Sequence, residues 1–270
     1  MQIVVCAKQV PDTTQVRIDP ETNTLVREGV PFIMNPYDTN ALEEGLQLAH
    51  RFGLSLTVIS MGPPNAEATL RRALSVGADR AILLSDRRFG GADTLATSNV
   101  LAAAIRRLSA EEEVGVVICG KQTIDGDTAQ VGPGIAVRLG LAQLTLVDHV
   151  ESFDFSSRCL RVRRKLEGRH EMVEAPLPAL LTVVREINRL RYPTVPARLA
   201  AQDAQVELWS NDLLKLDEAT IGLKGSPTWV SRIFSPERTK GEIVGDGQHD
   251  PAGAAALLID KLVQKDVLVF

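Results

Sequence analysis

GKQTIDGDTAQVGPGIAVRLG, residues 120–140, sets a polar, glycine-punctuated run between a strand pattern and a helix pattern. Upstream, VGVVIC (Val114 to Cys119) is a β-branched run suited to a parallel strand covered on both faces. Downstream, Ala129, Gly132, Ile135, Ala136 and Leu139 recur at helical spacing. Gly126 admits backbone angles closed to other residues, while Asp125, Asp127 and Thr128 offer capping oxygens to a helix starting at Thr128. The first-turn amides of such a helix have no intrahelical acceptor and, with the helix dipole, favour phosphate. Thr128, Ala129, Gln130 and Val131 are the donors so placed. A capped helix after a tight turn satisfies the same run, since glycine loops follow strands in many α/β folds.

The flanking chain alternates strand and helix up to about residue 140. Ile3 to Ala7 reads as a strand, and Val16 to Glu28 as a hairpin around a Pro-Glu-Thr-Asn turn. Asn35 to Phe52 is a helix with Asn35 as cap, Pro36 at its first position and Asp38 reaching back in a capping box. Leu54 to Met61, Arg80 to Ser85 and Val114 to Cys119 are strands; Asn65 to Ala78, Thr94 to Leu108 and Thr128 to Leu139 are helices. This order predicts an α/β, Rossmann-like, mostly parallel sheet with helices on both faces and a ligand crevice at the strands' carboxyl ends. Cys6 to Lys8, Met34 to Asp38, Met61 to Pro64 and Gly120 to Gly132 all end there.

After residue 141 the pattern changes. Leu144 to Phe153, Arg158 to Lys165, His170 to Val173 and Ala179 to Val184 read as antiparallel additions. The division expected is a nucleotide-binding domain over residues 1–184 and a C-terminal arm over 185–270. The arm carries YPTVP (Tyr192 to Pro196), a short helix at Asn211 to Leu216, the segment Pro227 to Phe234 and a last helix from Pro251 to Val263. So long a loosely patterned tail suits packing on a partner better than an internal loop. Trp209 and Trp229 then anchor an interface or fill local cores, and Ala254, Leu257, Leu258 and Leu262 form a packing stripe.

Composition narrows the class. With 270 residues, 44% hydrophobic, the chain can bury a full core. A net charge of −4 and short basic clusters argue against nucleic acid. Its apolar runs fall far short of the roughly 20 residues that span a bilayer, and Met1 leads straight into a strand with no leader pattern, so a cytoplasmic location is expected. Cys6, Cys119 and Cys159 lack metal or redox spacing, and the four histidines are scattered, so no metal is expected.

Several stretches together resemble the small (beta) subunit of the electron-transfer flavoproteins. VRRKLEGRHEMVEAPLPALLT (Val162 to Thr182) resembles that family's signature at Val162, Arg164, Glu167, Gly168, Glu171, Pro178 and Thr182. VCAKQV (Val5 to Val10), NPYD (Asn35 to Asp38), SMGP (Ser60 to Pro63), VGADRAILLSD (Val76 to Asp86) and GKQTIDGD (Gly120 to Asp127) match in order. The resemblance implies an adenine nucleotide in the crevice. Cys6 and Ala7 would meet the base or ribose, and Asn35, Pro36, Tyr37, Asp38 and Met61 the adenine side. Gly120, Gln122, Thr123, Asp125, Gly126, Asp127 and Thr128 to Gly132 would wrap the phosphates, with Asp125 or Asp127 taking a sugar hydroxyl.

Within the family the nucleotide is AMP in one branch and a second FAD in the electron-bifurcating branch. DGDTAQVGPG (Asp125 to Gly134) resembles the bifurcating branch: Gly126 stands where AMP-type members carry a bulkier acidic residue, and Gly132-Pro133-Gly134 keeps the helix start slim. The resemblance then implies FAD, with NADH as electron donor and electrons sent to ferredoxin or flavodoxin and to the large (alpha) subunit's FAD. The flavin carries that chemistry, so no residue is assigned as acid, base or nucleophile. The alternative is a structural subunit holding AMP. Tyr192, Pro193, Thr194, Val195 and Pro196 match the family's recognition loop for a flavin dehydrogenase, with Val195 as apolar anchor. The lysine-rich run of the mitochondrial type is missing here, which puts acyl-CoA dehydrogenase partners in doubt and leaves room for another flavin dehydrogenase or a quinone-linked module.

Overall fold

The β-branched runs picked out above form the centre of a nine-stranded sheet, while polar turns deliver their flanking loops to one edge. A computed structural model describes residues 1–12, 17–18, 25–26, 31–154, 156–228 and 241–268. In chain order the elements are β1 (Gln2–Cys6), β2 (Gln9–Pro11), β3 (Arg17–Ile18), β4 (Leu25–Val26), β5 (Phe32–Met34), α1 (Pro36–Phe52), β6 (Ser55–Met61), α2 (Glu67–Val76), β7 (Arg80–Leu84), α3 (Thr94–Glu111) and β8 (Val114–Gly120). They continue with α4 (Val131–Leu139), β9 (Ala142–Asp154), β10 (Cys159–Leu166), β11 (Arg169–Pro176), β12 (Ala179–Val183), α5 (Val195–Asp203), β13 (Glu207–Trp209), α6 (Asn211–Leu214) and α7 (Pro251–Gln264).

The sheet runs β11-β10-β9-β12-β8-β1-β6-β7-β13. Neighbours from β9 to β13 are parallel, and only β9, β10 and β11 pair antiparallel. Period-two alternation divides the core. Ile3, Val5, Val116 and Ile118 face one apolar cluster with Leu42, Leu46 and Leu70 of α1 and α2. Val4, Cys6, Val117 and Cys119 face the other, with Val100, Leu101, Ile105 and Ile135 of α3 and α4. Both faces of the centre are therefore dry, which explains the continuous apolar runs of its strands.

One strand departs from the sequence expectation. Ala179–Val183 is parallel and lies between β9 and β8, not in the antiparallel extension. Its five residues are all buried, and a strand covered on both faces loses the alternation that marks a half-exposed antiparallel one. The expected hairpin is present as the antiparallel pair β3–β4.

Two compact units are distinguished, Met1–Ser231 and Arg232–Phe270. In the first, β13 adds to β7, and Trp209 is buried at 4% exposure, with the guanidinium groups of Arg80 and Arg107 at 5.7 and 5.4 Å from its ring centre. Trp209 thus fills a core of its own chain, whereas Trp229 lies outside the described residues. In the second, Asp250 caps α7; of the expected stripe Leu257 and Leu258 are exposed and Ala254 and Leu262 half-buried. Among the described residues no helix is long and apolar enough to cross a membrane, and no cluster could hold a metal ion.

Candidate nucleotide crevice and its supports

From β1 the chain steps outward through β6 and β7, then returns to place β8 on the other side of β1. Strand order therefore reverses between β1 and β8, where Cys6 lies opposite Cys119. Loops leaving the two strands diverge at such a point and open a crevice.

The turn Asn35–Asp38 spans that divergence. Asp38 accepts the Lys8 amide on Oδ2 at 2.8 Å and the Gly120 amide on Oδ1 at 3.2 Å. The amide of Asn35 donates to the Lys8 carbonyl at 2.9 Å. Its side chain donates to the Gln122 carbonyl at 2.9 Å and accepts from the Ile124 amide at 3.2 Å. These contacts replace the capping box: Asn35 makes no side-chain cap bond, since both its side chain and that of Asp38 are committed across the sheet edge. Gly120 is forced by the same closeness, because a Cβ there would sit 2.3 Å from Asp38 Oδ1 and 2.6 Å from Tyr37 Cβ. Asp38 is buried at 5% exposure. That burial, opposed by the Lys8, Asn35 and Gly120 hydrogen bonds, pushes its carboxyl up to about 7.

The loop after β8 also differs from expectation in its details. Helix α4 begins at Val131, three residues later than expected, with Gln130 as N-cap and no side-chain cap. Asp125 instead pairs with Lys8 Nζ at 2.7 Å, and Asp127 accepts from Gln122 at 2.7 Å. The Lys8 pair, countering burial, holds the Asp125 carboxyl below the usual range. Left-handed backbone falls at Asp127 (φ 50°) and Ala129 (φ 54°) rather than at Gly126. Among the described residues the amides of Thr128, Ala129, Gln130, Val131 and Gly132 have no acceptor. A helix start preceded by kinked backbone with free amides is an anion-binding shape. Gly132 and Gly134 serve packing: added Cβ atoms would lie 2.6 Å from Thr182 and 2.8 Å from Ser98. At Gly126 a Cβ would meet only Thr123, at 3.6 Å.

A cleft of about 1060 Å³ opens over these loops. Of the expected residues, Cys6, Ala7, Asp38 and Met61 line it from the strand side. Gly120, Gln122, Thr123, Gly126 and Thr128 to Gly132 line it from the loop after β8. Asn35, Pro36, Tyr37, Asp125 and Asp127 are not on its wall; Tyr37 stacks under Arg185 at 4.9 Å. Sequence reasoning missed the loop after β7, where Asp86, Arg87, Phe89, Gly90, Gly91 and Thr94 line the wall, and the segment Val206 to Leu208 beside it. The carboxyl-end rule applied to Arg80 to Ser85 points to it, and the adjoining RRFGG is itself a glycine-bearing loop. Thr94 Oγ1 donates to Gln130 at 2.8 Å and joins the two loops. Lys121 and Arg87 line the cleft and form no ion pair among the described residues. The Cys119 thiol, hydrogen-bonded to Cys6 and buried, is pushed well above its ordinary pKa, so its sulfur acts as neutral wall.

The second expected site lies apart from this cleft. Tyr192 and Val195 are 94% and 73% exposed. Thr194 caps α5 by accepting the Ala197 amide, and Pro196 occupies the first helical turn, so the loop runs into a helix that the sequence reading left irregular. Pro193 is half-buried. Arg191 is fixed beneath it by Glu43 of α1, through Nε and Nη2 at 3.0 and 2.9 Å and the amide at 3.0 Å. Burial works against the Glu43 charge, but these Arg191 bonds prevail and hold its carboxyl below the usual range.

An open α/β sheet with an amide-lined crevice at its order reversal is an architecture common to nucleotide-binding proteins. Residues 22–214 match the family model described as electron transfer flavoprotein domain. The chain is 48% identical over 266 residues to the electron transfer flavoprotein subunit beta of Clostridium acetobutylicum, covering 98% of this chain and 99% of that protein. It is 46% identical over 265 residues to protein FixA of Azotobacter vinelandii, covering 97% and 94%. With the caffeyl-CoA reductase–Etf complex subunit CarD of Acetobacterium woodii it shares 45% over 271 residues, covering 99% and 100%. The chain belongs to the electron transfer flavoprotein family, as a beta-type subunit.

Proposed function

We propose that the crevice binds FAD and that the chain works with a large (alpha) subunit as an electron-bifurcating electron transfer flavoprotein. The observation that carries this reading is the row of acceptor-free amides from Thr128 to Gly132 beside a cleft of about 1060 Å³. Such a volume sits at the top of the roughly 300–1,000 Å³ common for small-molecule sites, which suits a dinucleotide better than AMP. The groups present fit a pyrophosphate. Free amides and Lys121 supply donors and positive charge, the carboxylates of Asp125 and Asp127 are engaged elsewhere, and Gly126 adds no bulk to the wall. Phe89, Leu101 and Met61 give apolar wall for a flat ring system.

A bound FAD, its phosphates held by the Thr128 to Gly132 amides and Lys121, would supply the two-electron and one-electron redox chemistry that links NADH to ferredoxin or flavodoxin and to the large subunit's FAD. The chain's own residues bind and orient it and exclude water. Tyr192 to Pro196 form the surface for the final acceptor, a flavin dehydrogenase or quinone-linked module. The CarD relative, named for a caffeyl-CoA reductase complex, favours a CoA-ester oxidoreductase among these. Co-expression with the large subunit and assay of released nucleotide tests the reading. Two FAD and no AMP per heterodimer is the expected result; one FAD with one AMP makes the chain an AMP-holding structural subunit.

A further inference from the structure

Asp38 has a position that its sequence context as a helix-start carboxylate does not explain. It is buried at 5% exposure, lines the cleft, and spends one oxygen on each of the two strand ends that part at the order reversal. A surface ion pair such as Lys8–Asp125 is screened by solvent and contributes less than a hydrogen bond to a buried charged acceptor. Asp38 is therefore the stronger tie between the loops after β1 and β8. A neutral amide cannot replace it, since its Nδ2 would face one of the two N–H donors.

We propose that Asp38 is a positioning residue for the nucleotide: ionised, it holds the ends of β1 and β8 together under the crevice, and protonation frees one amide and weakens nucleotide binding. This rests on the crevice being the nucleotide site. The groups facing the carboxyl are Lys8 from the loop after β1, the Gly120 amide and the Cys119 thiol from β8, the latter hydrogen-bonded to Cys6 of β1, and Asn35 from its own turn. Lys8 is the cation among them, and Asp125 engages its Nζ. Burial outweighs those stabilising bonds, so the group titrates at about 7, within the working pH range of most proteins.

The test uses the heterodimer, freed of nucleotide at the beta site and titrated calorimetrically with FAD and separately with AMP from about pH 5.5 to 8.5. Affinity of the wild type should fall toward tenfold per pH unit below about 7. Asp38→Asn should weaken binding at least about tenfold at high pH and lose that slope, while Asp38→Glu keeps a slope. Phosphate titration of the ligand is common to all three and cancels in the comparison. An unchanged affinity or an unchanged slope in Asp38→Asn overturns the proposal, and native-like circular dichroism of Asp38→Glu guards against misfolding. Wild type binding AMP but not FAD, with the slope present, sinks the FAD reading and leaves this one standing. No binding of either nucleotide by wild type sinks both.

Discussion

The loop after β8 and the loop from Arg191 to Pro196 both carry candidate binding groups, and they are built in opposite ways. The first is held from behind at several points by Asn35, Asp38 and Lys8, and shows backbone amides toward a cleft. The second is held at its foot by Glu43 and shows side chains, Tyr192 and Val195, to solvent. The difference follows from the ligands such surfaces suit. A phosphate needs several fixed donors at about 3 Å, so the backbone must be rigid. A protein partner needs an apolar knob that fills a pocket, and a single anchored base suffices.

Changes at the crevice should therefore disturb stability more than changes at the exposed loop. The largest effect should be a pH swing at Asp38. Because its folded pKa, about 7, exceeds the ordinary aspartate value of 3.8, its contribution is fully present below about pH 4 and is lost as pH rises to about 7. Wild type should lose up to about 4 kcal/mol relative to Asp38→Asn across that window, read by urea unfolding at each pH. A flat difference would show that the carboxyl is not buried as described. Next, Gly120→Ala forces a methyl against Asp38 and Tyr37 and should cost about 3 kcal/mol together with much of the bound nucleotide. Equal nucleotide content in this variant and wild type would mean that the clasp does not shape the crevice.

Smaller effects belong to the second loop. Glu43→Gln removes the charge partner of Arg191 and should cost about 1–2 kcal/mol, with trypsin cutting after Arg191 several-fold faster and nucleotide content unchanged. Val195→Ala removes a side chain that touches little and should shift stability by less than about 0.5 kcal/mol while slowing electron delivery to the dehydrogenase. If Val195→Ala transfers electrons at the wild-type rate, the exposed knob is not the docking anchor.

The parallel order, the helices on both faces and the crevice were legible because they depend on period and sequence order. Most strand and helix patterns need only local information. Ala179–Val183 was misread as antiparallel because double burial erases alternation, leaving no sign of partner direction. The roles of Asn35 and Asp38 were hidden for another reason. Asn-Pro-x-Asp fits a helix cap locally, and only the tertiary return of β8 brings the amides of Gly120 and Ile124 within reach. Glu43 was equally unreadable, since its partner Arg191 is distant in sequence and nothing local marks the pair.

The central claim is that the free amides from Thr128 to Gly132 bind the nucleotide phosphates. Hydrogen–deuterium exchange of the heterodimer, with the beta site empty and then saturated with FAD or AMP, tests it most directly. The account predicts fast exchange across residues 128–132 when empty and strong protection there on adding nucleotide. Unchanged exchange in that segment, with protection elsewhere, would contradict it.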